Sequence, residues 1–181
     1  MPLLEKYFIA VVPPEPLLTS IQEIKNDIFQ KYQTKGALRS PGHITLHMPF
    51  SFNGENETKL VSCLEEFSHK TTFDISLDGY ASFEPRVIYI NVLQNQQLYE
   101  LQKKLVKHVK QRLNLFNQSD DLRGFHPHVT VAFRDLKKAN FYNIWEEYKN
   151  KPLSESFKCN SISILKHGNG KWDILKEFKF Q

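Results

Sequence analysis

Two four-residue segments of this chain combine a histidine and a threonine at the same spacing. They are His43-Ile44-Thr45-Leu46 and His128-Val129-Thr130-Val131, and each reads histidine, aliphatic, threonine, aliphatic. In a β-strand alternate residues share a face, so each segment would present an imidazole and a hydroxyl on one face. Two such strands facing each other across a groove suit phosphodiester chemistry. One histidine would accept a proton, the other would donate one, and the threonine hydroxyls would bind the phosphate oxygens.

The residues around the two segments indicate an internal repeat. The two histidines lie 85 residues apart, and the same shift superposes the apolar stripes of two predicted helices, Ile21, Ile24 and Ile28 on Val106, Val109 and Leu113. A shift of 84 residues superposes a second pair of predicted helices, Leu60, Val61 and Leu64 on Ile144, Trp145 and Tyr148. One such segment alone is weak evidence, because a strand histidine is more often a surface or core residue. The agreement of the flanking helices favours a duplication with a functional pair of histidines.

The composition indicates a protein of one domain, or of two small lobes that share a core. The chain has 181 residues, of which 40% are apolar and 13% aromatic, and its net charge is +4. This mild positive charge fits an anionic substrate and is far from that of a polybasic nucleic-acid-binding arm. No apolar run is long enough to span a membrane, and the first twelve residues are typical of a strand rather than a signal peptide. Cys63 and Cys159 form no CxxC pattern and are interpreted as reduced thiols, so we expect a cytoplasmic protein.

Hydrophobic periodicity and turn residues predict alternating strands and helices. Helices are expected at about 16–35, 55–68, 95–115 and 137–149. Strands are expected at about 7–12, 43–50, 73–77, 86–93, 128–133, 157–165 and 171–180. The order predicts an α+β, bilobal fold duplicated about a pseudo-twofold axis, with two antiparallel-rich sheets lining a central cleft and helices outside. Residues 1–181 are interpreted as one bilobal domain, in which the axis brings the two histidine strands together.

This pattern resembles the 2H phosphoesterase superfamily, which includes bacterial 2′-5′ RNA ligase-like proteins and cyclic nucleotide phosphodiesterases. The resemblance rests on His43–Leu46, on the longer stretch 126–133, on the hairpin 73–92 and on the opening strand with its proline-led helix. It implies a bilobal fold with both His-Thr pairs in a central cleft. It also implies metal-independent action on 2′,3′-cyclic or 2′,5′-linked phosphodiesters, at RNA ends or in small nucleotides. No cofactor is predicted.

The predicted catalytic residues are His43, Thr45, His128 and Thr130, and the predicted substrate-binding residues are Arg86 and Arg134. Some members of the superfamily carry an arginine shortly after the second segment, and Arg134 stands six residues beyond the second histidine. Arg86 maps onto Lys171 in the repeat. Such a pair of cations either attracts phosphate into the cleft or lies at two solvated strand ends. Arg39 and Arg123, in the loops before the two segments, are weaker candidates.

Other histidines and aromatic residues allow alternative interpretations. His47 shares the face of His43 by strand parity, and it either lines the groove or packs beneath it. Together with His126 and His128 these residues could form a metal site, but the repeat explains only two of the four histidines, so we predict no metal. Phe83 is a candidate for stacking on a base, whereas Trp145 and Trp172 are interpreted as core residues.

The sequence therefore favours a phosphodiesterase that acts on RNA ends or small nucleotides. Two alternatives remain open: a module that binds RNA ends or phosphate without turnover, and a ligase that runs the reverse reaction. A ligase of this kind would have to use a cyclic phosphate end, because the chain has no nucleotide-activating motif such as a Walker loop. No obligate protein partner is expected. The pseudo-symmetry leaves open which histidine acts as base and which as acid.

Overall fold

A computed structural model describes residues 3–67, 69–117 and 124–180. Within these ranges the chain folds into four α-helices, namely α1 (Leu17–Tyr32), α2 (Glu57–Glu65), α3 (Gln96–Leu113) and α4 (Lys138–Tyr148). The same ranges contain eight β-strands, namely β1 (Leu4–Val11), β2 (Ile44–Asn53), β3 (Phe73–Phe83), β4 (Val87–Val92), β5 (His128–Ala132), β6 (Ser154–Cys159), β7 (Ser161–Gly168) and β8 (Lys171–Lys179). The four predicted helices are present, and their ends lie within three residues of those expected.

The strands form one curled sheet in the order β6-β3-β4-β5-β2-β1-β7-β8, and its neighbouring strands pair antiparallel. The predicted α+β fold with antiparallel strands is confirmed. The two expected sheets are joined into one, because β2 and β5 pair at the centre through Ile44 and Val129. This short contact joins the two halves and lets the strands diverge beyond it to open a cleft. The interpretation of residues 1–181 as one bilobal domain stays a prediction.

Each half of the sheet combines strands from both parts of the sequence: β3 and β4 lie with β5 and β6, and β1 and β2 lie with β7 and β8. β3, which follows the first histidine strand and α2, pairs with β4 and β6, whereas β7 returns to pair with β1 and β8. The sequence predicts one strand at 157–165, and this is wrong, because the chain changes partners at Asn160. No glycine or proline marks that position, and only the pairing on either side reveals the break.

The helices pack crosswise on this sheet. α1 contacts β5, and α3 contacts β2, so each helix supports the histidine strand of the opposite repeat. The buried stripe of α3 is entirely apolar and consists of Leu98, Leu101, Leu105 and Val109. Complete burial of such a side chain stabilises the fold by roughly 1.5–3 kcal/mol. Among the helices described here, none combines the length and apolar character that crossing a membrane requires.

A β-bulge decides where His47 points. Ala10 of β1 pairs with Thr45, but the next residue, Ile9, pairs with His47, so Leu46 is the extra residue. Side chains of directly paired residues lie on the same face, and Ile9 belongs to the main core. His47 is therefore completely buried on the face opposite Thr45. The parity argument that gave His47 the face of His43 is wrong because the bulge shifts the alternation by one residue.

Candidate active site

The central pair of strands brings both histidine segments to one cleft. β2 and β5 are neighbours in the sheet, and His43, Thr45, His128 and Thr130 all line a cleft of about 720 Å³. The aliphatic residues between them, Ile44 and Val129, are fully buried on the other face. The alternation expected from the sequence thus sends two imidazoles and two hydroxyls toward the same space.

The two imidazoles are held by matching hydrogen bonds. His43 Nδ1 lies 2.8 Å from the carbonyl oxygen of Pro41, and His128 Nδ1 lies 2.7 Å from that of His126. A carbonyl oxygen only accepts, so each ring donates from Nδ1–H, and in a neutral ring Nε2 then carries the lone pair. Both histidines therefore share one tautomer, which leaves Nε2 available for proton transfer.

Burial favours the neutral form of both rings. Loss of hydration lowers the pKa of His43 to about 4, and the positive charges of Lys25 and His128 add to this effect. Burial also lowers the pKa of His128, with a further contribution from His126. In each case the hydrogen bond to the backbone carbonyl opposes the shift. In the free protein near neutral pH both rings are thus able to accept a proton.

Aromatic rings stand beside each histidine. On one side the ring centroid of Phe8 lies 4.7 Å from that of His43 and 4.8 Å from that of Trp172. On the other side Phe83 lies 5.3 Å from His128. Trp172, interpreted as a core residue, is partly buried against the small cluster that contains Phe8, and it also lines the cleft together with both phenylalanines. Phe8 is not among the predicted site residues, because residues 7–12 form a continuous apolar run and no alternation indicates which side chains share a face.

Two arginines line the cleft, and a clamp between two loops positions them. The carboxylate of Asp135 accepts hydrogen bonds from the Thr34 hydroxyl and from the backbone N–H groups of Lys35 and Gly36. This contact docks the loop that carries Arg39 onto the turn that carries Arg134, and both arginines line the cleft. Burial raises the pKa of Asp135, but these hydrogen bonds outweigh it and hold the pKa below its usual value.

Close packing at Gly36 completes the clamp. A Cβ atom at this position would lie 2.2 Å from the carbonyl oxygen of Phe133 and 2.9 Å from the Asp135 carboxylate. Such a distance is impossible for a real side chain, so glycine is required for the two loops to approach each other. Arg134 itself adopts a φ of 68°, a left-handed conformation that the docked turn sustains.

Not all predicted cations reach the cleft. Arg86 lies exposed in the turn between β3 and β4, and it is not among the residues that line the cleft, although its neighbours Phe83 and Val87 are. Lys171, its counterpart in the repeat, is likewise exposed outside the cleft. The structure thus does not bring Arg86 to the cleft, because a side chain at a hairpin turn extends beyond the strand, and its binding of substrate stays a prediction. Arg123 lies outside the described residues.

The four histidines of the alternative metal interpretation do not converge. His43, His126 and His128 line the cleft, whereas His47 is buried on the other face of the sheet. In the described part of the chain, no group of three or more His, Cys, Asp or Glu residues is arranged to hold a metal ion. No aspartate or glutamate of the described residues lines the cleft either. The cleft is thus a basic and aromatic site.

Comparison with known proteins agrees with the resemblance seen in the sequence. The sequence model of the 2′-5′ RNA ligase superfamily matches residues 13–171. A protein of Bacillus mycoides (strain KBAB4) named "Putative phosphoesterase" is 26% identical over 162 residues, which cover 87% of this chain and 89% of that protein.

Solved structures share the fold. The crystal structure of Escherichia coli LigT with 3′-AMP has a TM-score of 0.68 at 19% sequence identity and covers 98% of this chain and 99% of LigT. A crystal structure described as a phosphoesterase has a TM-score of 0.66 at 19% identity, with 100% and 99% of the two chains covered. At these identities the two structures establish a common fold, while the family match rests on the sequence.

Proposed function

Because the chain belongs to the 2′-5′ RNA ligase superfamily, we propose that it is a metal-independent phosphodiesterase that uses His43 and His128 as an acid–base pair. The observation that carries the proposal is the matched pair of imidazoles in one cleft. Each ring donates from Nδ1 to a backbone carbonyl, which leaves Nε2 able to exchange a proton with a substrate. The absence of carboxylates among the described cleft residues favours an anionic substrate.

The proposed reaction is hydrolysis of a phosphodiester. One neutral imidazole takes a proton from water at Nε2 while the water oxygen forms a bond to phosphorus. The bond from phosphorus to the leaving ribose oxygen breaks, and the other imidazole, in its protonated form, gives a proton to that oxygen. Each positioned proton transfer contributes roughly 10²- to 10⁴-fold to the rate.

The remaining cleft residues act on the charge of the phosphoryl group. The acid must be protonated when the substrate is bound, and the bound anion itself favours the imidazolium form and raises its pKa. The hydroxyls of Thr45 and Thr130 donate hydrogen bonds to the non-bridging oxygens as charge develops on them. Arg39 and Arg134 supply positive charge at the same cleft.

The proposed substrates are RNA ends with a 2′,3′-cyclic phosphate, or 2′,5′-linked or cyclic nucleotides. LigT, whose fold this chain shares, has been crystallised with 3′-AMP, with ATP and with phosphate. The rings of Phe8, Trp172 and Phe83 offer apolar faces on which a base can stack beside the reacting phosphate. Such stacking tolerates different bases, so we expect modest base preference.

Ligation is a second candidate, favoured by the description of the superfamily. The same acid–base pair would use a 5′-hydroxyl in place of water. The 5′ oxygen gives its proton to the base and bonds to the phosphorus of a 2′,3′-cyclic phosphate, while the bond from phosphorus to the 3′ oxygen breaks and the acid protonates that oxygen, which leaves a 2′,5′-linkage. This reaction is the reverse of cleaving a 2′,5′-linkage to a cyclic phosphate, so the two candidates use one site and differ in the nucleophile. Product analysis with an added 5′-hydroxyl oligonucleotide distinguishes them.

A panel of substrates tests the proposal. It contains 2′,3′-cyclic nucleotides, oligoribonucleotides that end in a cyclic phosphate, and 2′,5′-linked oligoadenylates, each assayed with and without EDTA. We expect turnover of at least one class, unaffected by EDTA because acid, base and oxyanion donors come from side chains. Binding without turnover of any member would make the protein a binding module. Loss of activity in EDTA, restored by zinc or manganese, would contradict the metal-independent mechanism.

A further inference from the structure

One lysine occupies a core position of α1. Lys25 lies in the buried stripe between Ile21 and Ile28 and is only 2% exposed, whereas the stripe of α3 contains apolar residues alone. Within the described part of the chain, no carboxylate forms an ion pair with Lys25. Burial of an unpaired ammonium group is costly, and it lowers the pKa of Lys25 to about 8. Because a lysine at this position costs stability, we looked for a role of its charge outside the packing of the core.

Lys25 contacts the segment that immediately precedes His43. Its Nζ donates a hydrogen bond of 3.0 Å to the carbonyl oxygen of Ser40. The next carbonyl along the chain, that of Pro41, accepts the hydrogen bond from His43 Nδ1. One helical turn earlier, Ile21 packs against Gly42 so closely that a Cβ there would lie 2.7 Å from its Cγ2 atom. Helix α1 thus holds this segment at two points and fixes the carbonyl that sets the tautomer of His43.

The charge of Lys25 also distinguishes the two histidines. The charged or titratable groups that act on His43 are Lys25 from α1 and His128 from β5, and both oppose protonation of the ring. On the other side the carbonyl that holds His128 belongs to His126, whose ring lies 3.2 Å from the Tyr89 hydroxyl. Besides this mutual interaction with His43, the charged group that lowers the pKa of His128 in the described residues is His126, and no lysine contributes. His43 therefore has a buried ammonium as neighbour, and His128 does not.

We propose that Lys25 is a positioning residue that keeps His43 neutral and oriented, so that His43 acts as the general base and His128 as the general acid. This assignment rests on the proposed phosphodiesterase function. The part concerning the tautomer and charge of His43 concerns the free protein and does not depend on turnover.

The first experiment is histidine titration by NMR in Lys25→Met, with Lys107→Met as the matched control on the exposed face of α3. Removal of the buried charge should raise the pKa of His43 by roughly half a unit or more, because a nearby cation disfavours the imidazolium form. The titration of His128 should change less, and the control should leave both unchanged. Because an apolar side chain replaces an unpaired buried charge, Tm should be unchanged or higher. If Lys25→Met does not fold, Lys25→Gln, which keeps a donor without the charge, replaces it.

The result would contradict the proposal if Lys25→Met lowers Tm and leaves the titration of His43 unchanged, because Lys25 would then be a structural residue only. A change confined to His128 would also overturn it. These outcomes are independent of whether any substrate of the panel is turned over, so failure of the inference and failure of the proposed function remain distinguishable.

The second experiment assigns acid and base with an activated substrate. The p-nitrophenyl ester of thymidine 5′-phosphate has a leaving group that needs no proton. His128→Ala should therefore lose roughly 10²-fold on a cyclic phosphate but little on this ester, whereas His43→Ala should lose activity on both. Lys25→Met should move the acidic limb of the pH–rate profile to higher pH and leave the alkaline limb in place. The opposite pattern for the two histidine variants would reverse the assignment and reject the role given to Lys25.

Discussion

His43 and His128 have the same hydrogen bond and different surroundings. Each donates from Nδ1 to the carbonyl two residues earlier, so the protein reproduces one local geometry on both of its histidine segments. Phe8 stands beside the first ring, and Phe83 and Tyr89 stand beside the second. At the scale of single residues, therefore, the two halves share the ring geometry on which the proposed proton transfer depends and differ in the aromatic side chains beside it.

Replacement of either histidine should abolish most of the turnover. We expect His43→Ala and His128→Ala each to slow single-turnover hydrolysis of an RNA with a 2′,3′-cyclic phosphate by roughly 10²-fold or more. The double variant should be little slower than the slower single variant, because the two residues act in one step. His108→Gln is the control, since His108 lies outside the cleft and contacts the carbonyl of Cys63. If only one histidine affects the rate, the paired mechanism is wrong.

At the scale of elements, the loop after α1 and the turn after β5 form one unit. Asp135 collects three hydrogen bonds from residues 34–36, and Gly36 allows the backbones to touch. Arg39 and Arg134 follow the two sides of this contact, and both line the cleft. A contact between elements some 100 residues apart in the chain thus joins the two segments that carry these arginines.

Release of this clamp should weaken substrate binding more than it slows the chemical step. Asp135→Ala removes three hydrogen bonds to a charged acceptor, each worth about 1.5–3 kcal/mol, and frees the loop that carries Arg39. We expect KM to rise several-fold, with a smaller fall in kcat and a lower Tm. Asp78→Ala, on the exposed part of β3, is the matched control. Steady-state kinetics with both variants measure KM and kcat. An unchanged KM for Asp135→Ala would mean that the clamp does not position the arginines.

At the scale of the whole molecule, buried histidines make the fold sensitive to acid. Burial lowers the pKa of four of them below the usual value of 6.5, namely His43, His47, His69 and His128. Among the described residues, neither His47 Nε2 nor His69 Nε2 has a hydrogen-bond partner, so the neutral ring is the form that these sites accept. The unfolded chain consequently binds more protons than the folded chain below about pH 6.5.

The free energy of unfolding should therefore fall as the pH falls from about 6.5 toward 4. Each unit of pKa difference is worth about 1.4 kcal/mol, and stability decreases with falling pH wherever the unfolded state binds more protons. The free energy of unfolding can be measured with urea at several pH values between 7.5 and 5. This interval lies above the range in which carboxylates titrate, so the histidines dominate the change. His43→Gln should show a shallower fall than the wild type, because it removes one of the four groups. A free energy of unfolding that stays constant or rises over this range would contradict the prediction.

The sequence alone determined the paired His-Thr segments, their repeat and the type of fold. These follow from local patterns: alternation in a strand, the 3.6-residue period of a helix and residues that favour turns. Such patterns depend on neighbours along the chain and hold wherever pairing with distant strands does not interrupt them. They suffice to send His43 and Thr45 to one face and Ile44 to the other.

Only the tertiary structure decided where the remaining residues lie. The bulge at Leu46, which buries His47, and the change of partners at Asn160 depend on pairing with distant strands. Trp172 and Phe8 reach the cleft because of the curl of the sheet, and Arg86 does not. Lys25 is buried next to the segment before His43 because α1 packs on this segment as well as on β5. Register, curl and packing partners are set by contacts between residues far apart in the chain, and no local period encodes them.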